Sequence, residues 1–266
     1  MEMAGKTAAF AALRQRIRQM ERLEGAQGKA GTEGGRASLA LLAPHDGLWP
    51  EKGLPLGCLH EAGGDGRPAG FAALTAFAAA LAGRLGAVLW CSRRAGVYGP
   101  SLYGPGLAQV GLRASRLIAA TTASDAEVLA VMEEGLRHPV LACVVGEVGR
   151  INLTASRRLQ LAAEKSGVTA FVLRTLARQT TTEPLAAASR WRISAMPSTP
   201  HVIPEAGRAR WRLELLQSRC GARGDWIVEA PDAQGYLHLP SPLADGIAKA
   251  PAETRPRMAK QAGAAG

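Results

Sequence analysis

The apolar positions of the chain fall into two rhythms. From residue 6 to 24, Phe10, Leu13, Ile17, Met20 and Leu23 recur at helical spacing, with Arg14, Arg16, Arg18 and Arg22 between them. This pattern predicts one amphipathic helix. Residues 25–35 follow with Gly and polar side chains and no periodicity, the composition of a flexible linker. The helix is therefore expected to be an arm whose Leu13, Ile17 and Met20 offer a face to a partner; packing on its own core is the alternative.

A short apolar segment at 39–43 precedes the second rhythm, which runs from residue 56 to 173. Strands are predicted at 56–60, 87–91, 140–145 and 169–173, with a further short apolar piece at 116–120. Helices are predicted at 69–85, 124–137 and 154–166. Ser124 with Glu127 three residues on has capping-box spacing, and Gly167 suits a helix end. The runs at 140–145 and 169–173 are apolar on both parities, as strands buried on both faces require. This alternation predicts an α/β fold with a mostly parallel sheet and helices on both faces. After Arg174, short strands at 191–194, 209–217, 226–229 and 236–239 are joined by turns such as Asp232-Ala-Gln-Gly235. They predict C-terminal antiparallel hairpins that extend the sheet at one edge. The expected organisation is an arm and linker over residues 1–35, a core over 36–244 and a disordered basic tail over 245–266.

Composition narrows the function classes. The 266 residues are 47% hydrophobic and carry 32 Lys and Arg against 22 Asp and Glu, a formal net charge of +10. That balance favours an acidic partner such as nucleic acid. A GC-rich coding sequence produces the same Arg, Ala and Gly excess without one. No apolar run reads as the roughly 18 uninterrupted residues of a membrane span, which excludes a membrane partner on this reading. The start of the chain lacks the charged, apolar and small-residue segments of an export signal, so a cytoplasmic protein is expected. Cys58, Cys91, Cys143 and Cys220 stand singly, and the five histidines show no ligand spacing. No metal site, disulfide framework or nucleophilic triad is indicated.

One Gly-rich segment, residues 61–70, lies between a predicted strand and a predicted helix, where α/β proteins bind phosphates with backbone N–H groups. Gly63, Gly64, Gly66 and Gly70 are its candidate phosphate-loop positions. A working loop reads Gly-x-x-x-x-Gly-Lys-Ser/Thr, because the Lys reaches the outer phosphates and the hydroxyl binds Mg²⁺. Neither residue is present, and Asp65 sets a negative charge close to any triphosphate. The carboxylates that would hold Mg²⁺ and orient water are altered as well. Gly146 precedes Glu147, a one-residue slip that turns the side chain to the opposite face, and Ser92-Arg93-Arg94 carries cations in place of an acid. No catalytic residue and no cofactor are expected.

Arg190-Trp-Arg192 and Arg210-Trp-Arg212 repeat one tripeptide on two predicted strands. Each places two guanidiniums on one face and a Trp on the other. Together, Arg190, Arg192, Arg210 and Arg212 are a candidate surface for DNA or a partner; the alternative is a solvated outer face with both Trp in the core and Glu214 neutralising part of the stripe.

The run Gly53-Leu-Pro-Leu-Gly-Cys-Leu-His-Glu61 resembles the segment that leads into the ATPase core of RecA-type recombinases. Taken with Trp191, Arg210-Trp-Arg-Leu-Glu-Leu-Leu216 and Asp225-Trp-Ile-Val-Glu-Ala230, it is similar to ImuA, the family of inducible mutagenesis proteins of bacterial damage-response operons. The resemblance covers residues 39–239 and rests on the order and spacing of several short motifs. It implies a RecA-like, P-loop-type core without a working ATPase. It also implies a non-catalytic accessory role in SOS-induced error-prone translesion synthesis. The partners it implies are an ImuB-type polymerase homologue and, indirectly, an error-prone C-family polymerase. By position, Arg93 falls near the catalytic Glu of a recombinase and Gly146 at its Mg²⁺-binding Asp. The alternative is a DNA-binding RecA paralogue that modulates recombinase filaments on single-stranded DNA.

Overall fold

The computed structural model describes residues 37–42, 53–94, 102–175, 186–198 and 208–240, with Gln15 on its own. The predicted arm with Leu13, Ile17 and Met20, and the predicted basic tail, lie outside the described residues. Ten strands occur in chain order: β1 (Ser38–Leu39), β2 (Leu54–Pro55), β3 (Leu59–Gly64), β4 (Val88–Arg93), β5 (Leu117–Thr122), β6 (Cys143–Val148), β7 (Thr169–Arg174), β8 (Ser189–Met196), β9 (Arg210–Ser218) and β10 (Gly224–Glu229). Among the described residues the α-helices of more than one residue are α1 (Pro68–Leu85), α2 (Gly104–Gln109), α3 (Asp125–Gly135) and α4 (Leu153–Ser166).

Among the described residues, eight strands form one sheet in the order β10-β9-β8-β3-β7-β6-β4-β5. β3 to β8 run parallel, while β9 and β10 are antiparallel and extend the β8 side. The fold is thus α/β with a mostly parallel centre. α1 covers one face, where Phe77 and Leu81 pack with Trp90, Phe171, Trp191, Ile193 and Trp211. α3 and α4 cover the other, where Val128, Met132 and Leu159 meet Leu89, Val144 and Val172. Ser124 accepts the Glu127 N–H at the start of α3, while the Glu127 carboxylate accepts from Ala123 N. Asn152 caps α4, and Gly167 ends it at φ 77°.

The structure corrects four details of the sequence reading. The first central strand is not 56–60 but Leu59–Gly64: it runs through two glycines because β7 and β8 hydrogen-bond it from both sides. The strand expected at 140–145 starts at Cys143, since Ala142 N and Cys143 N both donate to Ala87 O before the ladder begins. Residues 236–239 add no strand. They make single bridging pairs, Leu42 with Leu237 and Glu229 with His238, because Asp232 accepts from Gln234 N and Tyr236 N and curls the chain across α1. Finally, α1 is a continuous 18-residue helix of mean hydropathy 1.3, long and apolar enough to cross a membrane. Ten of its residues are buried against the core.

The flanking segments close on the C-terminal end of α1 through close backbone approaches. A Cβ on Gly83 would stand 2.7 Å from Gly111 O, and one on Gly235 would stand 2.7 Å from Ala80 O. Arg84 lies over the Tyr236 ring, 3.8 Å from its centroid, and donates to Ala40 O.

Candidate functional site

The Gly-rich segment is shorter than the sequence implies. Gly63 and Gly64 belong to β3, opposite Arg174, Arg192 and Ile193, and Gly70 lies in the first turn of α1. Only Asp65-Gly66-Arg67 connect strand to helix, with Gly66 at φ 85°. Of the four candidate loop glycines, one is therefore in the turn itself. Pro68 at the first helical position gives up an N–H that has no partner there in any helix.

What sits on the helix N-terminus is the Asp65 side chain. Its Oδ1 accepts from Arg67 N at 3.0 Å. The same atom lies 1.9 Å from where a Cβ on Gly70 would stand, so only glycine leaves it room. A helix N-terminus attracts anions through free N–H groups and the dipole, and here the chain supplies the anion itself. Beside this carboxylate is a cavity of about 210 Å³ lined by Gly64, Gly66, Arg67, Pro68, Phe71, Arg174 and Thr175.

Behind the turn, Glu61 is buried at the centre of β3. Its Oε1 accepts from Arg174 Nη1 at 3.1 Å and its Oε2 from Arg190 Nε at 2.7 Å. From here a line of alternating charge crosses the same sheet face. Arg192 stands 3.5 Å from Glu214, and Arg212 donates from Nε to both oxygens of Asp225 at 3.0 Å. Of the two sequence readings of Arg190, Arg192, Arg210 and Arg212, the arrangement matches the alternative in part, with Glu214 on Arg192 and both Trp in the core. The two strands are adjacent, yet Arg190 is only 6% exposed and held by Glu61. Arg192 and Arg212 face carboxylates, and Arg210 is half-buried opposite Met196. Trp191 and Trp211 are buried on the opposite face.

The two altered carboxylate positions are spatially distinct. Gly146 is pressed against α3, where a Cβ would stand 2.1 Å from Met132 Sδ, so a side chain there requires Met132 to move. Glu147 points to the α1 side and accepts from Trp90 Nε1 at 2.8 Å. Burial pushes its carboxyl above the ordinary range, against the lowering effect of that hydrogen bond. Arg93, at the end of β4, is 3.8 Å from Asp125 and largely exposed. Among the described residues no three His, Cys, Asp or Glu side chains are grouped to hold a metal ion.

His60 is a core residue. Trp191 Nε1 donates to Ser189 Oγ, which lies 2.7 Å from His60 Nδ1, and His60 Nε2 lies 2.8 Å from Pro55 O. These partners fix the tautomer with its proton on Nε2. Burial holds the imidazole at about 4, well below its ordinary value. Burial also pushes the Cys91 and Cys143 thiols up, away from reactivity.

The sequence pointed to the missing Lys and hydroxyl and to the charge of Asp65, but not to its hydrogen bond with Arg67 N, which depends on where β3 ends, nor to the Glu61 pair, which depends on β8 lying beside β3.

No family model matches the chain. Two curated relatives carry the name Protein ImuA, one from Caulobacter vibrioides strain NA1000 / CB15N and one from strain ATCC 19089 / CIP 103742 / CB 15. Each is 39% identical over 221 residues, which cover 75% of this chain and 87% of the relative.

Proposed function

The chain belongs to the ImuA family, and on that premise we propose that it is a non-catalytic accessory of SOS-induced, error-prone translesion DNA synthesis. Family membership ties it to inducible mutagenesis. In this reading the core is a RecA-like domain with a degenerate nucleotide site. It binds an ImuB-type polymerase homologue in a complex to which an error-prone C-family polymerase is joined indirectly.

The observation that carries the non-catalytic reading is the Asp65 carboxylate on the N-terminus of α1. A phosphate approaching that helix end meets a fixed negative charge, and no Lys or hydroxyl opens the helix to compensate. A strand, short turn and helix without the Lys and hydroxyl of a working phosphate loop suit a protein that works by binding other proteins.

The test is co-purification of the full-length chain with the ImuB-type homologue of its own organism, at moderate salt, with nuclease and without nucleotide. A stoichiometric complex is the expected result. Its absence from a cooperatively folded preparation overturns the accessory role and favours the DNA-binding paralogue acting on RecA filaments. A fluorescent ATP analogue with Mg²⁺ is expected to show no saturable binding, and steady ATP turnover by the pure protein overturns the non-catalytic reading.

A further inference from the structure

The carboxyl ends of β3, β7, β6 and β4 form one rim, because these are neighbouring parallel strands in that order. The chain delivers an arginine to this rim after nearly every strand: Arg67 after β3, Arg150 after β6, and Arg93 and Arg94 at the end of β4. Asp125 ties two of these ends together. Its Oδ2 accepts from Gly149 N at 2.9 Å and Arg150 N at 3.3 Å, and its Oδ1 is 3.8 Å from Arg93 Nη1.

The acids of the rim are thus already engaged: Asp65 with Arg67 N, Asp125 with the β6 turn and Glu127 with Ala123 N. Arg67, Arg94 and Arg150 are exposed, and their guanidiniums have no partner among the described residues. Elsewhere Arg137, Arg158, Arg212 and Arg219 are paired with carboxylates, while the exposed Arg113, Arg157, Arg208 and Arg223 come from α4 and separate connecting segments and not from one row of strand ends. α4 also begins at this rim with no acid in its first turn, and its N-terminal dipole adds to the positive potential, whereas the N-terminus of α1 carries Asp65 and that of α3 carries Asp125 and Glu127.

We propose that this rim binds the phosphodiester backbone of nucleic acid, with Arg67, Arg94 and Arg150 as its contacts. Three inter-strand steps separate β3 from β4, about 14 Å, so one small anion does not bridge them. A chain of repeated phosphates does, and planar guanidiniums suit its oxygens. A protein partner is disfavoured because a stable protein interface needs a desolvated apolar anchor. The exposed large hydrophobics among the described residues are Tyr103, Leu161 and Ile227, and none belongs to the residues that form the rim. The inference does not rest on the accessory reading. It concerns what meets the rim, whichever protein the rest of the chain binds.

The test is fluorescence anisotropy of labelled oligodeoxythymidine, and of a duplex of equal length, with the full-length protein across a salt series. The variant Arg67→Gln/Arg94→Gln/Arg150→Gln is compared with Arg113→Gln/Arg157→Gln/Arg208→Gln, which removes the same charge from elsewhere. The rim variant is expected to lose roughly tenfold or more in affinity at physiological salt, and to flatten the slope of log K against log salt on the single strand by about 2. The control variant is expected to stay within about twofold. Equal losses in the two variants overturn the proposal, since net charge alone would then explain binding, as does an unchanged slope. If the triple variant does not melt cooperatively, Arg94→Gln and Arg150→Gln decide singly, each expected to flatten the slope by about 0.7. A larger loss on oligodeoxythymidine assigns a single strand, and a larger loss on the duplex assigns double-stranded nucleic acid. Retention of the polymerase-homologue complex by the rim variant separates this result from failure of the accessory reading.

Discussion

Arg190 donates from Nε to Glu61 Oε2 at 2.7 Å, and this contact joins residues 129 positions apart inside the sheet. With Arg174 on the other oxygen, one carboxylate is opposed by two nearly buried guanidiniums. The three groups are stable together only because each desolvated charge faces its counter-charge.

Replacing Glu61 alone therefore leaves two cations in the interior without their anion. Glu61→Gln is expected to cost about 3 to 5 kcal/mol, enough to unfold a marginal domain. Urea titration followed by circular dichroism measures it. The exposed Arg212–Asp225 pair is a contrast: Asp225→Asn is expected to change stability by about 1 kcal/mol or less, although its geometry is bidentate. Equal losses at the two sites would show that burial does not set the difference.

The hydrogen bond from Arg67 N to Asp65 gives a second prediction. Asp65→Ala removes this acceptor and is expected to cost about 1 kcal/mol. Gly70→Ala pushes a methyl into the carboxylate and is also destabilising. The double variant is expected to be more stable than the sum of the two losses, because without the carboxylate the nearest neighbour of the methyl is the backbone N of residue 65, at 3.3 Å. Millimolar phosphate is expected to raise the melting temperature of Asp65→Ala more than that of the wild type, and an equal rise would refute the idea that Asp65 stands where an anion would bind.

The alternation of apolar runs was legible because β6 and β7 are buried on both faces, so Cys143 to Val145 and Ala170 to Leu173 are apolar at every step. β5 was read only as an apolar piece because as an edge strand it buries Ile118 and exposes Ala119 and Thr121. Gly63 and Gly64 read as a turn by propensity, and become strand only through neighbours that lie more than a hundred residues on. The same non-local pairing hid the fate of Arg190. Its parity on β8 was right, but which strand lies beside β8 decides whether that face meets water or Glu61. The absence of Lys and Ser/Thr from the Gly-rich segment needed no fold to read. The seat of Asp65 did, since it follows from a three-residue turn.

His60 makes stability depend on acid. Its imidazole is held neutral to about pH 4 in the folded chain, whereas an unfolded histidine takes up a proton below about 6.5. The unfolded state therefore binds more protons between these values, and stability present above pH 6.5 is lost as pH falls toward 4. Between pH 6.5 and 5 the wild type is expected to lose about 2 kcal/mol more than His60→Asn, which has no group titrating there. Chemical denaturation at the two pH values measures the difference; parallel losses would mean that His60 is protonated in the fold.

Glu147 carries the opposite sign. Burial raises its carboxyl above the ordinary value despite the hydrogen bond from Trp90, so the folded chain holds its proton more tightly than the unfolded one. The stability this gives is complete at pH below the unfolded value and is lost as pH rises through the folded one, where a charge must sit in the interior. Glu147→Gln keeps an oxygen for Trp90 Nε1 and removes the charge. It is expected to melt at a higher temperature than the wild type at pH 8, with the gap closing as the pH approaches 4. Scanning calorimetry of both proteins across this range is the measurement. A variant less stable than the wild type at pH 8 would mean that the anion itself is stabilised in place.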